Sequence, residues 1–298
     1  MSKKYARKGP PHKRMRGIIM QKYKSTLFVL IVACLVQACA AIANRPDAAQ
    51  ERAAIAASFR WPEGKRAALS LTFDDARLSQ IDTGLPILDR YKVKATFYVS
   101  PDSVKERLDG WKRAVKNGHE IGNHTLTHPC TGNYAFSKAN ALEDYSLDRM
   151  ALEIDEASLA IEEMLAVKPL SFAYPCCQTF VGRGTAVKSY VPLVAERFLT
   201  GRLGLNEAAN DPTICDLAQL LAQGSDGATF DELKILIDQA ASEGRWLILC
   251  GHEVGEGGYQ TTPAKTLEAL CRYANDSGSG LWIDTVGRIG KYVADHKK

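Results

Sequence analysis

The sequence predicts an α/β fold whose parallel strands close into a barrel. Three observations point there: seven short β-rich runs, helical stretches between them, and a mainly apolar character in most of those runs, WLILC above all. Strands apolar on both faces belong in a parallel sheet covered by helices, and about seven strand–helix units suit a barrel better than an open sheet. In such barrels functional residues sit where the chain leaves the C-terminal ends of the strands.

The strand candidates are AALSLTF (67–73), KATFYV (94–99), HEIGN (119–123), LSFAY (170–174), RFLTG (197–201), WLILC (246–250) and GLWID (280–284). Helical stretches separate them: TGLPILDRYK (83–92), and SVKERLDGWKRAVKNG (103–118) with Ser103 as a cap and Gly118 as a stop. SLDRMALEIDEASLAIEEMLA (146–166) carries apolar residues at helical spacing. TFDELKILIDQAASEG (229–244), TPAKTLEALCRYANDSG (262–278) and TVGRIGKYVADH (285–296) complete the alternation.

With 298 residues, 46% hydrophobic and 24% charged, the composition is that of a soluble globular chain. The formal charge of +4 misleads, because nine of the 38 Lys and Arg lie in residues 1–24 and no acidic residue precedes Asp47. The remainder carries 29 basic against 34 acidic residues, a net of −5, which gives no reason to expect a nucleic-acid partner.

The N-terminus has the three zones of an export signal: a basic region ending QKYK, the apolar core STLFVLIVACLV, and ACAAIAN. The expectation is a signal peptide over 1–43, a polar, Ala-rich linker over 44–60, a catalytic domain over 61–298, and a periplasmic or extracellular location. Cleavage before Asn44 competes with a lipoprotein box, VQAC, ending at Cys39, where Gln37 fits poorly. No stable membrane partner is expected unless Cys39 is lipidated. A retained membrane anchor is the further alternative, the apolar run being only somewhat shorter than the roughly 20 residues of a spanning helix. Met15 or Met20 would give a signal of more usual length.

Asp74 and Asp75 end the first strand, where departure from the strand lets both turn toward the barrel mouth; a polar turn capping the next helix is the alternative. His124 and His128 are four apart, the spacing at which two imidazoles on one helical face grip a single ion. Two histidines and a carboxylate leave coordination positions for water and substrate, as in catalytic zinc sites. His252 follows the apolar WLILC by two residues, placed to act as a general acid. Trp111, Trp246 and Trp282 are either sugar-stacking platforms or core, with core favoured for the last two. The loops 131–146 and 203–228 would edge the cleft and set specificity.

Taken together, TFDDA (72–76), HTLTH (124–128) and the late histidine resemble the polysaccharide deacetylase family with the NodB homology domain, carbohydrate esterase family 4, whose motifs are typically TFDDG and H(S/T)xxH. The resemblance implies a deformed (β/α) barrel of about seven strands. It implies Asp74 as general base, Asp75, His124 and His128 as ligands of a divalent metal, most often zinc, and His252 as catalytic acid, with Cys250 replacing the family's leucine. The third motif departs: FAYPCCQTFVGRG (172–184) stands where RxPYG is usual. Cys176 then takes the position whose backbone N–H helps stabilise the oxyanion, and Cys177 replaces a glycine. Arg197 or Arg202 is the candidate for the missing arginine, a surface salt bridge being the alternative for either.

Cys34 and Cys39 belong to the signal, and the other six cysteines show no zinc-finger pairing. Given the resemblance, Cys130 and Cys176 both lie at the barrel mouth and are expected to form a disulfide, with two free thiols as the alternative. The expected activity is metal-assisted removal of an acetyl group, most often N-acetyl, from an acetylated glycan. A carbohydrate-binding barrel weakened in turnover and a deacylase of a non-carbohydrate substrate are the alternatives.

Overall fold

The computed structural model describes residues 59–297, so the expected signal peptide and nearly all of the linker lie outside the described residues. β1 (Ala67–Asp74) leads through a π-helical turn into α1 (Leu85–Tyr91), followed by β2 (Thr96–Val99), α2 (Pro101–Val104), α3 (Leu108–Lys116) and β3 (Glu120–Asn123). A long loop runs to α4 (Leu147–Leu165) and β4 (Ser171–Ala173), then come a small hairpin, β5 (Phe180–Val181) and β6 (Lys188–Ser189), α5 (Val191–Arg197) and β7 (Thr200–Arg202). β8 (Gln223–Gly224), α6 (Phe230–Glu243), β9 (Trp246–Gly251), β10 (Glu253–Gly255), β11 (Thr261–Pro263), α7 (Ala264–Ala274), β12 (Leu281–Ile283) and α8 (Val286–His296) complete the chain.

The main sheet runs β7-β4-β3-β2-β1-β9-β8, with β12 beside the start of β1, and every pairing in it is parallel. A parallel bridge between Arg202 and Leu220, just ahead of β8, draws the two edges together. This is the deformed α/β barrel expected from the sequence.

Burial explains the apolar runs. On β1, Leu69, Leu71 and Phe73 pack in one core with Leu85 and Leu88 of α1, Trp111 of α3, Ile237 of α6 and Leu267 of α7. Each such side chain contributes roughly 1.5–3 kcal/mol when removed from water. The alternate residues face the barrel interior, where Trp246 Nε1 donates to Ser70 Oγ (3.0 Å) and Thr72 Oγ1 to the Leu249 carbonyl (2.8 Å). Val286, Ile289 and Val293 of α8 pack against Ala68, Trp246 and Ile248 and close the end opposite the strand C-termini.

Three expectations need correction. The stretch 103–118 is two helices, because Arg107 has non-helical dihedrals, and the cap position is Ser100, ahead of Pro101, not Ser103. Gly118 does end the second helix, at φ 84°. The strand expected from Arg197 starts at Thr200, since α5 runs on to Arg197. Trp111, like Trp246, is fully buried and is no sugar platform; Trp282 packs with Trp61 and Tyr292, away from the strand C-termini. The short pairs β5–β6 and β10–β11 were not foreseen, as two- and three-residue strands leave no periodicity to read.

Candidate active site

At the C-terminal ends of the strands lies an open cleft of about 1650 Å³, lined by Asp74, Asp75, His124, His128, Cys176 and His252 among others. The structure therefore brings together all six residues singled out in the sequence. Asp74 is the last residue of β1, and Asp75 leaves it at φ 76°, which lets successive carboxylates enter one cleft.

His124 and His128 do not lie on a helix. They sit in the loop after β3, where Thr125 (φ 66°) and His128 (φ 51°) are left-handed and break any helical path. Local bonds hold the loop instead: Thr125 N–H donates to Asn123 Oδ1, and His128 N–H to Thr125 Oγ1. The buried Glu153 of α4 accepts from Thr127 N–H (2.9 Å) and from its hydroxyl (2.7 Å). The rings still converge, with centroids 4.8 Å apart. Each Nε2 lies 3.4 Å from Asp75 Oδ1.

This donor set fits a divalent ion: one nitrogen from each histidine and one carboxylate oxygen lie within 4.8 Å of one another. His124 Nδ1–H donates to the Ala173 carbonyl (2.9 Å), which leaves Nε2 as the ligand atom and fixes the ring. Burial, then the neighbouring His124, pushes His128 down to about 4, keeping it neutral and ligand-competent at ordinary pH. Burial would raise the Asp75 carboxyl, but the hydrogen bond and charge of His124 and the charge of His128 hold it well below the usual range.

Asp74 is tied by the arginine whose place the sequence left open. Arg202, fully buried at the end of β7, pairs through Nη2 with Asp74 Oδ1 and stacks over Tyr98 at 4.7 Å. Arg197 makes the surface bridge instead, to Asp155. Burial favours the protonated Asp74 acid, yet Arg202, followed by His124 and His252, holds its pKa below the ordinary value. Cys250 adds a 3.5 Å S–H contact to Asp74 Oδ2 and receives Arg202 Nη1 at 3.2 Å.

His252 Nδ1–H donates to Asp226 Oδ2 at 2.6 Å, leaving Nε2 for the cleft. Burial disfavours the imidazolium, but Asp226, then Asp74 and Asp75, outweigh it and raise its pKa. Asp226 escaped the sequence reading because β8, which it follows, is two residues long and has no apolar run to mark its end. Gln80 was also missed: its buried amide bridges the carbonyls of Asp74 and His252.

Cys176 and Cys177 stand at φ 50° and 59°, and Ala76, at the glycine of the usual first motif, at φ 54°. Both glycine replacements thus sit in the conformation that glycine adopts freely. The Cys176 N–H is engaged in no backbone hydrogen bond, and its sulfur is joined to Cys130, the disulfide expected between the second- and third-motif loops.

Residues 62–181 match the sequence model of the polysaccharide deacetylase family. A chitooligosaccharide deacetylase of Rhizobium leguminosarum bv. trifolii is 33% identical over 100 residues, covering 33% of this chain and 42% of that protein. A peptidoglycan-N-acetylglucosamine deacetylase of Listeria monocytogenes serotype 1/2a (strain 10403S) is 42% identical over 62 residues, 20% of this chain and 13% of that one. An uncharacterised protein of Bacillus subtilis (strain 168) is 31% identical over 113 residues, 38% of this chain and 30% of that one. The chain spans less than half the length of each. Among solved structures, a Mycobacterium smegmatis protein assigned to the polysaccharide deacetylases superposes with a TM-score of 0.58 at 16% identity, over 81% of this chain and 95% of that one. The resemblance to the polysaccharide deacetylase family, deacetylases within the carbohydrate esterases, is thereby shown over residues 62–181, and the fold agrees over most of the chain.

Proposed function

We propose that the protein is a metal-dependent hydrolase that removes acetyl groups, most often N-acetyl, from an extracytoplasmic polysaccharide or oligosaccharide. The observation that carries this reading is the meeting, in one cleft, of an arginine-tethered carboxylate, a three-residue ligand set and an Asp–His pair. A divalent ion on Asp75, His124 and His128, zinc by its donor set, would supply Lewis acidity, polarising the acetyl carbonyl and activating water.

Asp74, kept ionised by Arg202, accepts the proton of the attacking water. The Cys176 N–H donates to the oxygen on which negative charge develops; a backbone donor serves whatever its side chain. His252 then passes a proton from Nε2 to the departing amine or alkoxide, while Asp226 keeps the imidazole in that tautomer and stabilises its charge. The products are acetate and the freed amine or hydroxyl. The export-type N-terminus and the glycan substrates in the relatives' names support an extracytoplasmic glycan.

The alternative of a barrel weakened to mere binding was motivated by the absent motif arginine and by the altered third motif. Arg202 reaches Asp74 from another strand and removes the first of these motives. Acetate release from chitooligosaccharides, peptidoglycan and acetylated xylan by the zinc-loaded protein tests the proposal. Release lost in Asp74→Asn and His124→Ala is expected; zinc bound without release from any glycan would overturn it.

A further inference from the structure

His124 and His128 differ in what stands behind the metal-facing nitrogen. His124 Nδ1 meets the Ala173 carbonyl, the kind of oxygen partner that a ligand histidine normally has. His128 Nδ1 faces sulfur instead, with Cys130 Sγ at 3.7 Å. A ring nitrogen of His128 and the sulfurs of Cys130 and Cys176 all lie within 4.8 Å of one another, a second cluster of ligand atoms beside the first.

The spacing suits an ion. Zinc bonds of about 2.3 Å to sulfur and 2.0 Å to nitrogen, at a tetrahedral angle, put the two atoms about 3.5 Å apart. The Cα atoms of Cys130 and Cys176 are 5.9 Å apart, so both sulfurs can reach one ion. Cys177 does not join them, because its sulfur lies beside Gly204 on the Arg202 side.

We propose that reduction of the Cys130–Cys176 disulfide by a dithiol creates a second metal site, in which Cys130 Sγ, Cys176 Sγ and His128 Nδ1 hold a thiophilic divalent ion such as zinc. Cys176 is half-buried and lines the cleft, whereas Cys130 is buried, so the dithiol's thiolate attacks Cys176 Sγ and the Cys130 sulfur leaves. The second thiol of the reductant then attacks the mixed disulfide, closing the reductant's own disulfide and releasing Cys176. Two electrons pass to the protein, both sulfurs become thiols, and the ion displaces their two protons to water.

A neutral imidazole has one lone pair to give. Once Nδ1 takes the ion, Nε2 carries the proton and directs it to Asp75 Oδ1, 3.4 Å away, the carboxylate partner of a ligand histidine. His128 is thereby withdrawn from Asp75 and His124, and reduction exchanges one ion site for the other. This site is defined by binding alone and stands whether or not the glycan reading does.

The probe is cobalt(II), added to the full chain after reduction with dithiothreitol and anaerobic removal of the reductant. The reduced protein is expected to show a thiolate-to-cobalt charge-transfer band that the oxidised protein lacks. Cys130→Ser and Cys176→Ser should each lose most of that band. His128→Ala should weaken cobalt binding by at least the roughly tenfold that loss of a mere outer partner costs, whereas His124→Ala should keep the band. In the parent, with no substitution, zinc should shield Cys130 and Cys176 from alkylation, read by peptide mass. No band on reduction, a band undiminished in either serine variant, binding indifferent to His128→Ala, or alkylation unslowed by zinc would each overturn the site.

Discussion

Asp74 and Arg202 are a buried ion pair in which each charge is tolerable because of the other. Arg202→Ala leaves a buried carboxylate unpaired, a change of the kind that costs about 3–5 kcal/mol. Because Arg202 depresses the folded-state pKa of Asp74, the pair's stabilisation is present above the unfolded carboxyl value and is lost as pH falls through the folded one. In Arg202→Ala burial is no longer opposed by the guanidinium, so the acid limb of activity should move to higher pH; an unmoved limb would show that Arg202 does not govern the base. Asp226→Asn is a milder change in shape that leaves His252 without its anionic partner. It should forfeit a large part of the roughly 10²–10⁴-fold that a general acid supplies. The His252 titration, followed by NMR, should drop in the same variant.

At the scale of elements, the site is assembled from loops that follow β1, β3, β4, β8 and β9, and the disulfide Cys130–Cys176 is the covalent tie between two of them. It closes a segment of sequence separation 46, which in the chain-entropy account is worth about 4 kcal/mol. Cys130→Ser is expected to lower the melting temperature and to raise hydrogen exchange across 124–146. A dithiol reductant should impair acetate release by the parent while leaving release by Cys130→Ser where it started. Equal sensitivity of parent and variant would place the reductant's effect on other cysteines.

For the whole molecule, the two sides of the cleft titrate in opposite directions. His252 has a raised pKa, so its stabilisation is complete below the ordinary imidazole value and fades as pH rises through the folded one; protonated His252 is also the active acid. Activity should therefore fall on an alkaline limb displaced upward from the ordinary imidazole value. On the acid side Asp74 stays ionised, and His128, pushed down to about 4, is the ligand whose protonation would release the ion. Zinc should be retained at neutral pH and lost on acidification once protons displace it from His128, and chelation at neutral pH should abolish acetate release reversibly. A profile lacking the alkaline limb would remove His252 from the acid role.

Much of this was legible in the sequence because it is local. Apolar runs, helical spacing and the Gly118 stop are short-range features whose physics is complete within a few residues, and they place the strands and the longer helices. The motif residues Asp74, Asp75, His124, His128 and His252 were readable for the same reason. What only the tertiary structure decided spans the barrel. Arg202 reaches Asp74 across 128 positions, Asp226 meets His252 from a two-residue strand, and the histidine pair converges through left-handed backbone instead of a helix. A sequence records spacing along the chain, whereas a buried charge finds its partner wherever the sheet brings one within reach, so the pairing is set by strand order and closure of the barrel.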